Sequence, residues 1–301
     1  MEFVNIYGAP PPDLVEVSAT AMQFSPLVPG AADLAALPEA SLESLAMLAP
    51  PGTLERRYAL AQALRRLAPG APFMALAPKD KGGARIAGDL TALGCPYLET
   101  ARRHHRLCVA KGGGDPAAIA TLIEEGGPRF LQNLGLWSQP GVFSWDRIDP
   151  GSAALLHHLP ALSGAGADFG CGIGALARDV LRSSSVVSLA LLDIDRRAID
   201  MAKRNIVDPR ARFQWADVLK ADTLAGLDFV VMNPPFHEGG VENQALGQSF
   251  IRRAAASLRT GGVCWLTANR HLPYEAILKP LFRHASVVAE TNGYKIFQAR
   301  K

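Results

Sequence analysis

The residues best suited to chemistry are Asn233-Pro234-Pro235-Phe236. They close an apolar run over 229–232 that reads as a buried parallel strand. Neither proline carries an N–H and both fix φ, so the backbone must leave the ladder here with carbonyls unpaired. Such a turn falls at the carboxyl edge of an open α/β sheet, where these folds bind ligands. It presents an amide side chain, the Pro234 carbonyl and an aromatic face. That set accepts the hydrogens of an amino group on a flat ring and stacks on the ring itself.

Upstream, Asp168-Phe169-Gly170-Cys171-Gly172-Ile173-Gly174 reads as a strand end running into a Gly-rich turn and then a helix. Glycines there let backbone approach a ligand closely. A second apolar strand ends in Asp193-Ile194, one βα unit on, where an acid can hold two ribose hydroxyls. Asp217-Val218 follows a third strand, and its carboxylate can receive an adenine amino group. Taken alone, the glycines suit a dinucleotide-binding turn or a plain tight loop equally well. The Asn-Pro-Pro-Phe turn moves the reading away from hydride transfer, which has no use for it. Cys171 sits inside the glycine turn with no base beside it and reads as a small filler.

The ordered set resembles the class I S-adenosylmethionine-dependent methyltransferases. Four segments sharpen the likeness: Pro140-Gly141-Val142-Phe143-Ser144, Asp149-Pro150-Gly151-Ser152, Asn233 to Gly239, and Ala268-Asn269-Arg270-His271-Leu272-Pro273-Tyr274. Together they are similar to the bacterial ribosomal-RNA guanine-N2 methyltransferases, most of all the small-subunit (16S) family. The match runs over roughly 134–301 and is weak before it. The resemblance implies methyl transfer from S-adenosylmethionine to the exocyclic N2 amine of a guanine. Asn233, Pro234 and Phe236 would be catalytic. Asp168, Gly170, Gly172 and Gly174 would lie around the methionine part of the cofactor, Asp193 and Ile194 at the ribose, Asp217 and Val218 at the adenine, with Asn233 beside the cofactor. Phe143 and Ser144 would lie near it, unless Phe143 simply packs in the core. His237 would take the leaving proton, touch phosphate or serve structure alone.

The implied fold is α/β, with two tandem Rossmann-like methyltransferase domains. The βαβ units place strands at 167–169, 187–192 and 212–215, helices at 175–182 and 196–205, and closing strands at 285–289 and 294–299. A seven-stranded, mostly parallel sheet with an antiparallel final strand is expected over 131–301. The chain has 301 residues, 49% of them hydrophobic and 20% charged, so a sizeable core in two domains is available. Net charge is +3, which by itself says little about nucleic acid. The four cysteines lack metal-ligand spacing, no metal is expected, and no targeting or membrane-spanning run is visible. A reduced, cytoplasmic protein, monomer or homodimer, is the expectation.

Residues 1–130 read as a repeat of part of the second half, unless the likeness is the chance similarity of α/β units. A strand ending in Ala49-Pro50-Pro51-Gly52, a helix over 54–67, Pro69-Gly70 and a strand over 72–77 parallel the Asn-Pro-Pro-Phe strand, its helix, Gly261-Gly262 and the strand over 263–268. Ala49 and Gly52 replace Asn233 and Phe236, so this copy has lost both amide and stacking ring. It carries a degenerate site and a basic character: Lys79, Lys81, Arg85, Arg102 and Arg103, which with His237 and Arg270 are the candidate RNA contacts, unless they are ordinary solvated faces. Residues 102–106 read as the beginning of an edge strand. The domain boundary falls within 112–135. The expected substrate is 16S ribosomal RNA, within a 30S subunit or its precursor. The rivals are a large-subunit rRNA guanine, a protein glutamine amide, and a non-catalytic rRNA-binding assembly factor.

Overall fold

The chain folds around two mixed α/β sheets, described by a computed structural model over residues 2–221, 224–235, 244–301 and the backbone of 237–238 and 241–242. Contacts divide it into one unit of Met1–Arg129 with Gln139–Gly141 and another of Phe130–Ser138 with Val142–Lys301.

The first unit holds β1 (Glu2–Tyr7), β2 (Glu16–Gln23), β3 (Leu45–Leu48), α1 (Thr53–Arg66), β4 (Pro72–Pro78), α2 (Ala84–Ala92), β5 (Tyr97–Arg102), β6 (His105–Lys111) and α3 (Pro116–Gly126). Its sheet runs β2-β1-β3-β4-β6-β5, with β6 antiparallel to both neighbours. The helices bury Leu60, Leu64, Ile86, Leu90 and Ile119 against Leu45, Met47 and Phe73 of the sheet. Asp115 caps α3 by accepting from the Ala117 N–H, and Pro116 supplies the preset φ of a first helical residue.

The sequence expectation fails at two places here. Arg102 does not begin an edge strand; it ends the edge strand β5. Arg103 and His104 then form a tight turn with φ of 44° and 60°, and the strand from His105 lies inside the sheet. Two-residue hairpins want positive φ at both central residues, and the usual Asn-Gly signal is absent, which hid the turn. Strands β1 and β2 were not anticipated, because they are mixed in polarity and half exposed.

The second unit holds β7 (Arg129–Leu131), β8 (Leu136–Ser138), α4 (Pro150–His158), β9 (Gly164–Phe169), α5 (Ala175–Val180), β10 (Val186–Asp193), α6 (Arg196–Asn205), β11 (Ala211–Trp215), β12 (Leu227–Met232), β13 (His237–Glu238), β14 (Val241–Glu242), α7 (Gln244–Ser257), β15 (Leu258–Asn269), α8 (Glu275–Leu281), β16 (His284–Thr291) and β17 (Tyr294–Arg300). The main sheet has the expected seven strands, in the order β11-β10-β9-β12-β15-β17-β16, and β17 is antiparallel to both neighbours. Alternate residues feed two cores: Phe169, Val230 and Met232 pack with α7 and α8, whereas Leu191, Val231 and Trp265 pack with α4, α5 and α6.

The two strand orders match, with β1 in the place of β9, β2 of β10, β3 of β12, β4 of β15, β6 of β17 and β5 of β16. No strand of the first sheet answers to β11. Nor is there a helix between β1 and β2, where the second unit has its glycine turn and α5. The first unit is a degenerate copy of the second.

Its proline turn is closed by a buried arginine. Arg56 of α1 is 1% exposed, donates to the Pro51 carbonyl at 2.9 Å, and pairs with Asp89 at 2.7 Å. Arg57 holds the other oxygen of Asp89 at 2.8 Å. Removing one member of such a buried group leaves a charge desolvated and short of a partner. Arg56→Ala is therefore expected to destabilise this unit by about 3 kcal/mol, read as a lowered urea midpoint of the unfolding transition.

Candidate active site

Three parallel strands end together. Phe169 of β9 pairs with Leu192 of β10 on one side and Met232 of β12 on the other. The next residues, Gly170, Asp193 and Asn233, therefore lie side by side at its carboxyl edge. Strand order reverses at β9, so this edge is the switch point where such sheets take ligands.

The glycine turn is held to the sheet and to the acid. Gly170 and Cys171 both donate to the Leu192 carbonyl, at 2.9 and 3.0 Å. Gly172 N donates to Asp193 Oδ2 at 2.8 Å, and Asp195 N donates to Oδ1 at 2.9 Å. At Gly172 (φ 53°) a Cβ would meet nothing within 4 Å, so one side of the turn stands open. At Gly174 (φ 87°) it would strike Ile206 Cδ1 at 2.8 Å, so that glycine serves the packing against α6.

Asp168 is fully buried, and neither carboxylate oxygen has a hydrogen-bond partner among the described residues. Burial, and then the neighbouring Asp193 charge, push its carboxyl up to about 8; the backbone amide of Ala177 offsets part of the rise without meeting hydrogen-bond geometry. Burial pushes Asp193 up to about 6, against the lowering by the Asp195 and Gly172 N–H groups. An orphaned buried carboxyl beside an open, left-handed glycine turn fits a ligand that brings its own cation. Burial and both carboxylates push the Cys171 thiol up, so it is no nucleophile and keeps its filler role.

Beyond the turn, Ile194 is exposed and its carbonyl accepts from Trp215 Nε1 at 2.9 Å. Asp217 caps the next turn by accepting from the Leu219 N–H at 2.9 Å, and Val218 is buried. Both follow β11, next to β10. Asn233 is half-buried, and its Nδ2 donates to Asp149 Oδ2 at 2.8 Å and Ser152 Oγ at 2.9 Å. Pro234 is buried. Phe236 and the His237 side chain lie outside the described residues. Phe143 is 65% exposed, which removes the core-packing alternative, and Tyr274 is buried packing.

The candidate RNA contacts are divided between the two units. Lys79 N donates to the His104 carbonyl, which brings the Lys79–Gly83 loop against the β5–β6 turn that carries Arg102 and Arg103. Lys79, Arg85, Arg102 and Arg103 are exposed and Lys81 is half-buried. Arg103 is paired with Asp13. Arg270, in the other unit, is paired with Glu290 at 3.4 Å. Sequence reasoning missed Asp149 and Ser152 as partners of Asn233. Their segment carries a helix-cap signal, but nothing local announces an amide from β12.

Residues 133–298 match the model of the methyltransferase small domain. The chain belongs to that family. Within it, the chain is 36% identical over 169 residues to ribosomal RNA small subunit methyltransferase C of Shewanella sp. strain MR-4, a stretch of 55% of this chain and 48% of that protein. The chain thus spans about half the length of the Shewanella relatives it matches. A Pseudomonas paraeruginosa protein of the same description is 33% identical over 252 residues, 81% of this chain and 75% of the relative. The fold matches a T. thermophilus 16S rRNA N2 methyltransferase, solved with AdoMet and guanosine, at a TM-score of 0.74 and 24% identity, over 95% of this chain and 77% of that one.

The carboxyl edge of this sheet thus contains a carboxyl that prefers its proton. With folded values above the unfolded one, Asp168 and Asp193 favour the folded state at low pH, and that advantage is lost as pH rises from about 4 to about 8. Without ligand, Asp168→Asn is expected to melt at least about 2 °C higher than the parent at pH 8, with the gap narrowing toward pH 4. Calorimetric melting across that range checks it.

Proposed function

We propose that this chain transfers a methyl group from S-adenosylmethionine to the exocyclic N2 amine of a guanine in 16S ribosomal RNA, acting on the 30S subunit or its precursor in the cytoplasm. The observation that carries the reading is Asn233, leaving the sheet beside Gly170 and Asp193 with both amide hydrogens already engaged. The membership and relatives described above support the same choice of reaction and RNA.

Asp168, Gly170, Gly172 and Gly174 would hold the methionine part of the cofactor, Asp193 and Ile194 its ribose, and Asp217 and Val218 its adenine. When bound, it supplies an electrophilic methyl carbon on sulfur. The guanine amine is a poor nucleophile, because its lone pair is delocalised into the ring. Asn233 Oδ1 and the Pro234 carbonyl accept its two hydrogens and turn the lone pair out of the ring plane. Phe236 stacks on the base, which must be unpaired or splayed from its helix. Positioning and fixed dipoles carry the rate. No strong base need act first, since the nitrogen becomes cationic and then loses a proton.

The first unit has no counterpart of the amide or of the glycine turn. Its Lys79, Lys81, Arg85, Arg102 and Arg103 bind phosphates instead, and Arg270 and His237 contact RNA from the catalytic unit. Changing Lys79 and Arg102 together to Glu is expected to weaken RNA binding roughly tenfold at low salt and flatten its salt dependence, measured by filter binding.

The deciding experiment supplies labelled S-adenosylmethionine with unmodified 16S RNA, 30S particles or 50S particles, followed by nucleoside analysis. Label is expected in N2-methylguanosine from 30S particles. Asn233→Ala should lower kcat roughly 100-fold or more. Label confined to 50S RNA or to a protein band overturns the reading.

A further inference from the structure

The catalytic amide is not left to orient itself. A primary amide has a donor end and an acceptor end that differ little in shape, so its direction is set by its partners. Asn233 Nδ2 sits 2.8 Å from Asp149 Oδ2 and 2.9 Å from Ser152 Oγ. A serine hydroxyl tolerates either end of an amide, but a carboxylate tolerates only the donor. Asp149 therefore fixes the sense: both Nδ2 hydrogens point inward, and Oδ1, on the other arm of the planar amide, is turned away as an acceptor.

Asp149 is itself immobilised. It is the N-cap of α4, and the same Oδ2 accepts from the Ser152 N–H at 2.9 Å. Pro150 presets the first helical turn. A Cβ at Gly151 would strike the Tyr294 ring at 2.7 Å and Asp149 Oδ2 at 3.0 Å, so the missing side chain lets tyrosine and carboxylate close over the cap. One helix start thus holds a turn that belongs to a distant strand.

We propose that Asp149, assisted by Ser152, is a positioning residue that locks Asn233 with its carbonyl oxygen toward the substrate amine. A flipped amide would set Oδ1 against the Asp149 carboxylate, lose two hydrogen bonds and offer the substrate two donors where it needs acceptors. The proposal rests on the methyl-transfer reading above, because it assigns Oδ1 to an amine.

A swap tests it. In Asp149→Asn, an amide still caps the helix but no longer dictates direction. In Asn233→Asp, two carboxylates face one another. In the double variant Asp149→Asn, Asn233→Asp, the new amide donates to one oxygen of the new carboxylate and the other oxygen remains an acceptor. With 30S particles as substrate, kcat is expected to fall roughly 100-fold in each single variant. It should recover at least about tenfold in the double variant, while the dissociation constant for S-adenosylmethionine stays within about twofold in Asp149→Asn. A cap with a purely structural role would lower Tm and cofactor affinity together and would gain nothing from the second change. An Asp149→Asn kcat equal to the parent's, or a double variant no better than Asn233→Asp alone, overturns the proposal.

A second readout needs no turnover. Hydrogen exchange at the Asn233 side-chain amide, followed by nitrogen-edited NMR on the free protein, is expected to be slowed in the parent and released in Asp149→Asn. Equal exchange in the two overturns the lock. Should the parent show no turnover on any RNA, the functional reading falls, and the exchange measurement still decides the lock.

Discussion

Parallel register is the constraint on which the site depends. Phe169 pairs with both Leu192 and Met232, so three chains leave the sheet at one level and about 4.8 Å apart. Slip β12 by one residue and Asn233 would point into the opposite core, because side chains alternate across a sheet. The alternation that sends Val230 and Met232 to α7 and α8, and Val231 to α4 and α5, is what holds the register. Packing far from the edge thus sets the position of the amide at the edge.

The degenerate copy shows what the same frame becomes without that chemistry. Its order is that of the catalytic sheet less one outer strand. The turn after β3 keeps two prolines, with Arg56 donating to the Pro51 carbonyl and no amide or aromatic beside them. Gly82 shows how closely this plug is fitted, since a Cβ there would come within 2.8 Å of the Arg56 guanidinium. Charge has been spent inward, on Asp89, and outward, on the Lys79 loop and the β5–β6 turn.

Much of this was legible in the chain. The apolar run before Asn233, the acid after Leu192 and the glycines after Phe169 are local signals, and each fell at the end of the strand that the sequence reading assigned to it. Helix α6 was read with both ends correct; the structure adds Asp195 as its cap and buries Ala198, Ile199, Met201 and Ala202. Strands β1 and β2 escaped because half-exposed, polar-rich strands carry little periodic signal. The Arg103–His104 turn escaped because its backbone conformation is set by strand pairing and not by glycine. The Asp149–Asn233 contact escaped for a deeper reason. It joins residues 84 apart in the chain, and only the assembled sheet brings them together.

The buried state of Asp168 carries one more consequence. A carboxyl raised to about 8 keeps its proton near neutrality while the edge is empty, and gives it up when a positively charged group settles against it. A cation bound at this edge would be linked to loss of that proton, so its affinity is expected to rise with pH below about 8.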